Sequence, residues 1–420
     1  MTAPAVTLGS AESVVMQGIP ARAPGMTRED WRTIRYAMRT RSQTLTHRGR
    51  VGRCGMPLAT RPPALADHDL FDFPVNPILA DVECYRRGRR AEFHGLQSCG
   101  SPWECPICAE KLGVENGRAL NVAAAVVRAR GGGTYTATLT VRHGATMELA
   151  PLVRALTLAW RKVQAGEPWR RRVARHAILG TVRAPEITHG ANGFHPHLHI
   201  GLYTSRALAK EELAEFEAWL SERWRRILIR QGQPENIIPS FERGVRIRKL
   251  HKADYLAKFG LGGELAKGVV KRAGVENRTP WQLLFDLTTG AGGTRDLWVW
   301  REYAAAMFRQ KPLTWSRGLR RALDLETALE LELARTRAEA EAEDGEREAE
   351  LVLTVPGREW CTHVAGRALE TDLMTALESG APAERVRRWY ARKIGRGPPL
   401  VGVCQKDSPA PLAFPGLRLA

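Results

Sequence analysis

Three sets of residues in this chain have the types and spacing to do chemistry. The first lies in residues 176–204, where His197 and His199 flank Leu198. Side chains two apart on a strand share a face, so both imidazoles point the same way and Leu198 turns to the core. Ahead of them, His189-Gly190-Ala191-Asn192-Gly193 is a turn sequence between two alternating runs, a hairpin signature. With Gly190–Gly193 as the loop, paired residue numbers keep a constant sum, and Glu186 faces His197 on the same side. Two imidazoles and a carboxylate suit a divalent cation with open positions, and phosphate oxygens beside them favour Mg or Mn. A slip of one residue would turn Glu186 to the opposite face. His195 shares the face of His197 in an ideal strand and is read as its neighbour, not as a ligand.

The second set is Tyr255 and Lys258, within Asp254-Tyr255-Leu256-Ala257-Lys258-Phe259, which reads as a short helix. Residues three apart on a helix project side by side. A tyrosine phenolate is a suitable nucleophile and leaving group for covalent catalysis. A free phenol titrates near ~10, so attack at neutral pH needs help. Lys258 could favour the phenolate or hold a phosphate oxygen. The third set is Cys99, Cys105 and Cys108, where a Cys-x-x-Cys has a third cysteine six residues earlier. That crowding fits a structural zinc site, which takes four soft ligands in a tetrahedron. The residues alone leave Cys54, Cys84 or His94 as the fourth.

The elements that must position these groups are legible around them. Residues 109–130 read as one Ala-rich helix stopped by Gly131-Gly132-Gly133. A threonine-rich strand follows over 133–141, then an amphipathic helix over 149–165. After the hairpin come a helix over 208–230 and a strand over 244–250. Helices capped at Thr279-Pro280 and at Thr314 are expected downstream. An antiparallel hairpin at the centre with helices on either side is an α+β plan.

The domains are expected to run 1–48 as an arm (with a basic helix over Thr27–Thr44) and 49–118 as a zinc-binding element. Residues 119–321 would form the domain that carries the histidines, and 322–420 a C-terminal helical region and tail. Residues 324–350 carry net charge −8, an acidic run that reads as a solvated helix. Helices over Thr362–Ser379 and Pro382–Ile394 would follow. The second is basic, and a helix–turn–helix is conceivable there.

A net charge of +18 points to a polyanionic partner. Arg246, Arg248, Lys249 and Lys252 lie between the histidines and Tyr255 and are the candidate DNA contacts. No apolar run approaches the ~20 residues of a bilayer span, and the N-terminus has no signal-peptide pattern. Seven cysteines are an odd count, which argues against a disulfide framework. A cytoplasmic protein with no membrane partner is expected.

The order Thr134-Tyr135-Thr136-Ala137-Thr138, then His197-Leu198-His199, then Tyr255-x-x-Lys258 resembles the HUH endonucleases, and among them the initiators of rolling-circle plasmid replication. Cys99-Gly100-Ser101-Pro102-Trp103-Glu104-Cys105-Pro106-Ile107-Cys108 and later phrases, such as Arg278-Thr279-Pro280-Trp281 and Leu313-Thr314-Trp315-Ser316-Arg317-Gly318, are similar to the actinobacterial-plasmid type. The resemblance covers roughly residues 50–321. It implies an HUH fold, with a central antiparallel sheet between helices, and an enzyme that nicks and joins single-stranded DNA through a 5′-phosphotyrosine. His197, His199 and Glu186 would hold Mg or Mn, and Tyr255 with Lys258 would be catalytic. Cys54, in Gly52-Arg53-Cys54-Gly55, would join Cys99, Cys105 and Cys108 on zinc. Origin DNA, single-stranded and duplex, and the host helicase, polymerase and single-strand-binding protein are the implied partners.

The tyrosine segment departs from some members, which place the nucleophile directly after the lysine, where this chain has Phe259. Others use two tyrosines and this helix has one. Termination would then need a second protomer, or a water activated by Asp254 or Glu264. The alternatives are an HUH-type transposase, a conjugative relaxase (which usually places its tyrosine before the histidines) and a non-catalytic zinc-containing DNA-binding regulator.

Overall fold

The computed structural model describes residues 27–60, 78–250, 277–344 and 348–395. In chain order the principal elements begin with α1 (Arg28–Leu45), β1 (Val82–Arg87), β2 (Arg90–His94) and α2 (Pro106–Ala129). Then come β3 (Gly133–Thr140), α3 (Leu149–Val163), α4 (Glu167–Arg175), β4 (Ile178–Gly190), β5 (Gly193–Thr204), α5 (Lys210–Arg230) and β6 (Val245–Lys249). The rest are α6 (Pro280–Thr289), α7 (Thr294–Ala306), β7 (Thr314–Trp315), α8 (Leu319–Ala322), α9 (Leu325–Asp344), β8 (Glu350–Val355), α10 (Ala368–Glu378) and α11 (Ala383–Ile394). The chain is α+β and forms two compact units. The described residues of one lie within Ala109–Leu287 and Ala291–Arg335, those of the other within Gly25–Cys108, Thr288–Gly290 and Thr336–Ala420. Among the described residues no helix is long and apolar enough to cross a membrane.

The first unit is built on a sheet in the order β7-β4-β5-β3-β6, every pair antiparallel. Alternation sorts its faces. Tyr135, Ala137 and Leu139 of β3, with Leu198, Ile200 and Leu202 of β5, point to one side and are buried. They meet Leu152, Leu156, Ala159 and Trp160 of α3 and Phe216, Leu220 and Trp224 of α5, whose apolar residues recur at helical spacing. The Trp224 indole donates to the Thr140 carbonyl at 2.8 Å, so its one polar atom is satisfied in the core. On the other side, Val182 and Tyr203 are covered by Leu120, Ala123 and Val127 of α2 and by Leu319, Leu323 and Leu325. The remainder of that side carries threonines, histidines and Glu186.

The second unit draws on both ends of the chain. In α1, Thr27 and Asp30 form a capping box: the Thr27 hydroxyl accepts from the Asp30 amide at 3.1 Å and the Asp30 carboxylate from the Thr27 amide at 2.9 Å. Trp31, Ile34 and Met38 are buried, and the Arg39 guanidinium pairs with the buried Glu370 carboxylate of α10. The helix expected over Thr27–Thr44 is α1; rather than lying in an arm, it packs against α10, because a helix with this apolar stripe can bury it there.

The C-terminal region also departs from an all-helical reading. β8 joins β1 and β2 in a three-stranded antiparallel sheet, so Val82 and Cys84 share a core with Val352, Val355, Trp360 and Leu373. The strand is brief and follows a Glu-rich helix, which hides its period. Thr314, expected to cap a helix, is in strand β7 opposite Arg183; the helix starts at Leu319, after Gly318 at φ +85°.

Candidate functional site

The β4–β5 hairpin pairs Glu186 with His197, Ala184 with His199 and Gly190 with Gly193. Gly193 takes φ +78°, and its Cα lies so close to the next loop that a Cβ would sit 2.8 Å from the Gly144 carbonyl oxygen. Only glycine meets both conditions without strain. The ladder continues across β5 into β3, setting Thr140 opposite His197 and Thr138 opposite His199. From β3 it reaches β6, with Thr138 opposite Arg246 and Thr136 opposite Arg248. Directly paired residues lie on one face, so Ala184, His199, Thr138 and Arg246 form one row and Glu186, His197 and Thr140 the next.

His199 is buried at 3% exposure and held from both sides. Its Nε2 lies 2.6 Å from Glu186 Oε2 and its Nδ1 lies 3.2 Å from Thr138 Oγ1. A neutral ring that donates from Nε2 to the carboxylate and accepts the threonine proton at Nδ1 satisfies both contacts. His197 stacks nearly parallel to His199 at 6.3 Å between centroids and to His195 at 6.2 Å. Burial pushes the His197 pKa down to about 4, against the attraction of Glu186, so the ring is neutral near pH 7. Its Nδ1 is buried with no hydrogen-bond partner among the described residues. His143, which no motif signals, closes against His195 at 3.6 Å between centroids and hydrogen-bonds the Asn192 carbonyl through Nδ1 at 3.1 Å.

Arg246 and Arg248 are exposed on the polar face of the edge strand β6, and Lys249 points to the other side. Glu217 partly neutralises Arg246 at 3.3 Å. Tyr255 and Lys258, with Lys252, Asp254, Phe259 and Glu264, lie outside the described residues. Thr138 was read as part of the threonine-rich strand, with no role beside the histidines assigned to it. The signal was available, since pairing β3 with β5 at a constant sum places it against His199, but nothing local fixes that register.

Cys54, Cys99, Cys105 and Cys108 come together in the second unit, all buried, with every sulfur within 4.8 Å of the others. Among the described residues they form a group of metal-ligating side chains close enough to share one ion. Cys54 Sγ lies 3.6 Å from both Cys105 Sγ and Cys108 Sγ, and the Ser101 amide donates to Cys99 Sγ at 3.4 Å. Hydrogen bonding from Cys105, with smaller help from Cys54 and Cys99, pulls the Cys108 thiol well below its ordinary range. Four close thiols of this kind could bind a structural metal such as zinc. The other two candidates for the fourth position are elsewhere. Cys84 is packed between the strands, its pKa pushed up to about 12 by burial, and His94 is exposed beside Glu92.

The chain is similar to Protein rep of Streptomyces lividans, at 33% identity over 298 residues, 55% of this chain and 65% of that protein. It is also similar to a Neomycin resistance protein of Streptomyces cyanogenus, at 29% identity over 130 residues, 25% of this chain and 30% of the other. The chain thus spans less than two thirds of the length of the curated relatives it matches. No family model and no solved structure matches it. The streptomycete Rep relative supports the resemblance to actinobacterial plasmid initiators carried by the motifs.

Proposed function

We propose that this chain initiates rolling-circle plasmid replication by nicking and rejoining one strand of origin DNA. The observation that carries the reading is the polar face of the central sheet, where Glu186, His197 and His199 occupy adjacent rows beside Arg246 and Arg248. The Rep relative and the spacing of Tyr255 and Lys258 support it. The donor set fits a divalent cation: His197 is neutral near pH 7, its Nδ1 has no protein partner among the described residues, and a carboxylate completes the set. Held by His197, His199 and Glu186, Mg or Mn would polarise the scissile phosphate and offset the charge that develops on it.

The chain's own residues do the rest. The Tyr255 oxygen attacks phosphorus and a Tyr–O–P bond forms as the P–O3′ bond breaks. The 3′ oxygen leaves as a hydroxyl, its proton balancing the one the phenol gives up. Lys258, three residues on in the sequence, favours the phenolate. The free 3′-OH is what a host polymerase extends, with helicase and single-strand-binding protein clearing the template. Rejoining runs the same exchange in reverse, and with one tyrosine the second cut falls to another protomer or to a water activated by Asp254 or Glu264.

The test is to incubate the protein with single-stranded origin DNA and Mn or Mg, then map the covalent adduct by mass spectrometry. An adduct on Tyr255 is expected. Tyr255→Phe should still bind the DNA but form no adduct and make no cut. A Tyr255→Phe protein that nicks like the parent would remove Tyr255 as nucleophile, and nicking unaffected by chelation would remove the cation.

A further inference from the structure

The basic helix α11 and the turn between β1 and β2 have no part in the chemistry above. We infer that together they form a docking surface for double-stranded DNA. Helix α10 is joined to α11 by Ser379-Gly380-Ala381-Pro382, with Gly380 at φ +73° and the Ser379 hydroxyl accepting from the Ala381 amide at 3.2 Å. A short, glycine-containing link of this kind is that of a helix–turn–helix. Val386 and Tyr390 turn α11 inward, and its mount is fixed by Arg387 Nε donating to the Val352 carbonyl at 2.7 Å and by the Tyr390 hydroxyl donating to Glu359 at 2.8 Å. Arg385, Arg388 and Arg392 then follow one another along the outward side, all exposed. Glu384 is within 3.6 Å of Arg388, while Arg385 and Arg392 have no acidic partner among the described residues.

The hairpin brings more charge to the same end of the helix. Arg86 donates to the Ala381 carbonyl, in the link before α11, and also pairs with Glu350. This ties the hairpin tip to the start of α11. Beyond that anchor Arg87, Arg89 and Arg90 are exposed around Gly88, which takes φ +57°. Glu92 lies 3.7 Å from Arg87, and Arg89 and Arg90 have no acidic partner among the described residues.

The 12 residues of α11 span about 18 Å. A duplex major groove about 12 Å wide admits a helix, and arginine forks suit both phosphates and guanine edges. A single strand is the poorer fit, because such sites add successive aromatic platforms for bases, whereas Trp389 beside the stripe is half-buried, packs on the core and carries Lys393 over its ring. A lipid surface is poorer still, since the apolar side of α11 is consumed by the core.

The test uses the full-length protein and fluorescence anisotropy with a random duplex of about 30 base pairs and a single strand of the same length. Arg385→Gln/Arg388→Gln/Arg392→Gln should weaken duplex binding on the order of tenfold or more near ~0.1 M salt. The slope of log affinity against log salt should become shallower by about one for each phosphate that is no longer neutralised. Arg89→Gln/Arg90→Gln should move both readouts the same way. Single-strand binding, and the control Arg170→Gln/Arg171→Gln on α4, should match the parent. Two variant sets that bind duplex with parental affinity and slope would overturn the proposal, as would an equal loss for single strands. Thermal melts check folding, and the hairpin variant alters a different element, so a misfolded helix variant does not end the test. The outcome is independent of the nicking chemistry, because Tyr255→Phe should bind the duplex normally.

Discussion

Thr138 Oγ1 lies 3.2 Å from His199 Nδ1 across the β3–β5 ladder, while Glu186 Oε2 lies 2.6 Å from His199 Nε2 across the β4–β5 ladder. A hydroxyl both donates and accepts, so Thr138 holds the ring in either neutral tautomer, including the one that frees Nε2 for a ligand. Thr138→Val keeps the shape and removes that hydrogen bond. It should raise the Mn or Mg concentration for half-maximal nicking by roughly 10–100-fold, and Thr138→Ser should restore it. Unchanged metal dependence in the valine protein would leave Thr138 without an orienting role.

His197 should make the fold acid-sensitive. Burial, which outweighs the pull of Glu186, lowers its pKa to about 4, whereas an unfolded histidine takes a proton near ~6.5. Between these values the unfolded chain binds the extra proton. Stability from this residue is therefore complete above about pH 6.5 and is lost as pH falls toward 4, by an amount on the order of 3 kcal/mol. Urea midpoints measured across this range should converge for the parent and His197→Gln as the pH falls. Curves that stay parallel would mean another group carries the acid limb.

The cysteine cluster should hold one zinc per chain. Cys108→Ser or Cys54→Ser should abolish stoichiometric zinc on metal analysis and lower the melting temperature of the second unit, since structural zinc contributes directly to folding. Cys84→Ser should leave the zinc content intact, because Cys84 belongs to the apolar core between the strands. Full zinc in the Cys108→Ser protein would refute the ligand set.

Gly193→Ala should strain the hairpin that sets the histidine register. The substitution meets φ +78° and a carbonyl oxygen 2.8 Å from the new Cβ. A loss of about 1–2 kcal/mol from the left-handed conformation alone is expected, with the close approach adding to it. Denaturant unfolding reads this directly, and a variant as stable as the parent would show that the loop relaxes freely.

Much of the sheet was legible because its period is local. The alternation in 133–141 and 176–204 and the Gly190–Gly193 turn determine which side chains share a face, and Glu186 does pair with His197. The Ala-rich helix was equally plain: Gly131 takes φ +76°, past the end of α2. Thr314 misled because threonine serves both helix caps and strands, and only the neighbouring β4 edge selects the strand.

By itself, the sequence determined the hairpin, its register and the crowding of three cysteines, since each depends on residues close together in the chain. Only the tertiary structure decided that Cys54 rather than Cys84 or His94 closes the cysteine group, that Thr138 braces His199, and that strand β8 completes a sheet begun more than two hundred residues earlier. Those choices rest on packing between distant segments. Their energy comes from burying apolar faces against one another, and no local pattern records which faces meet.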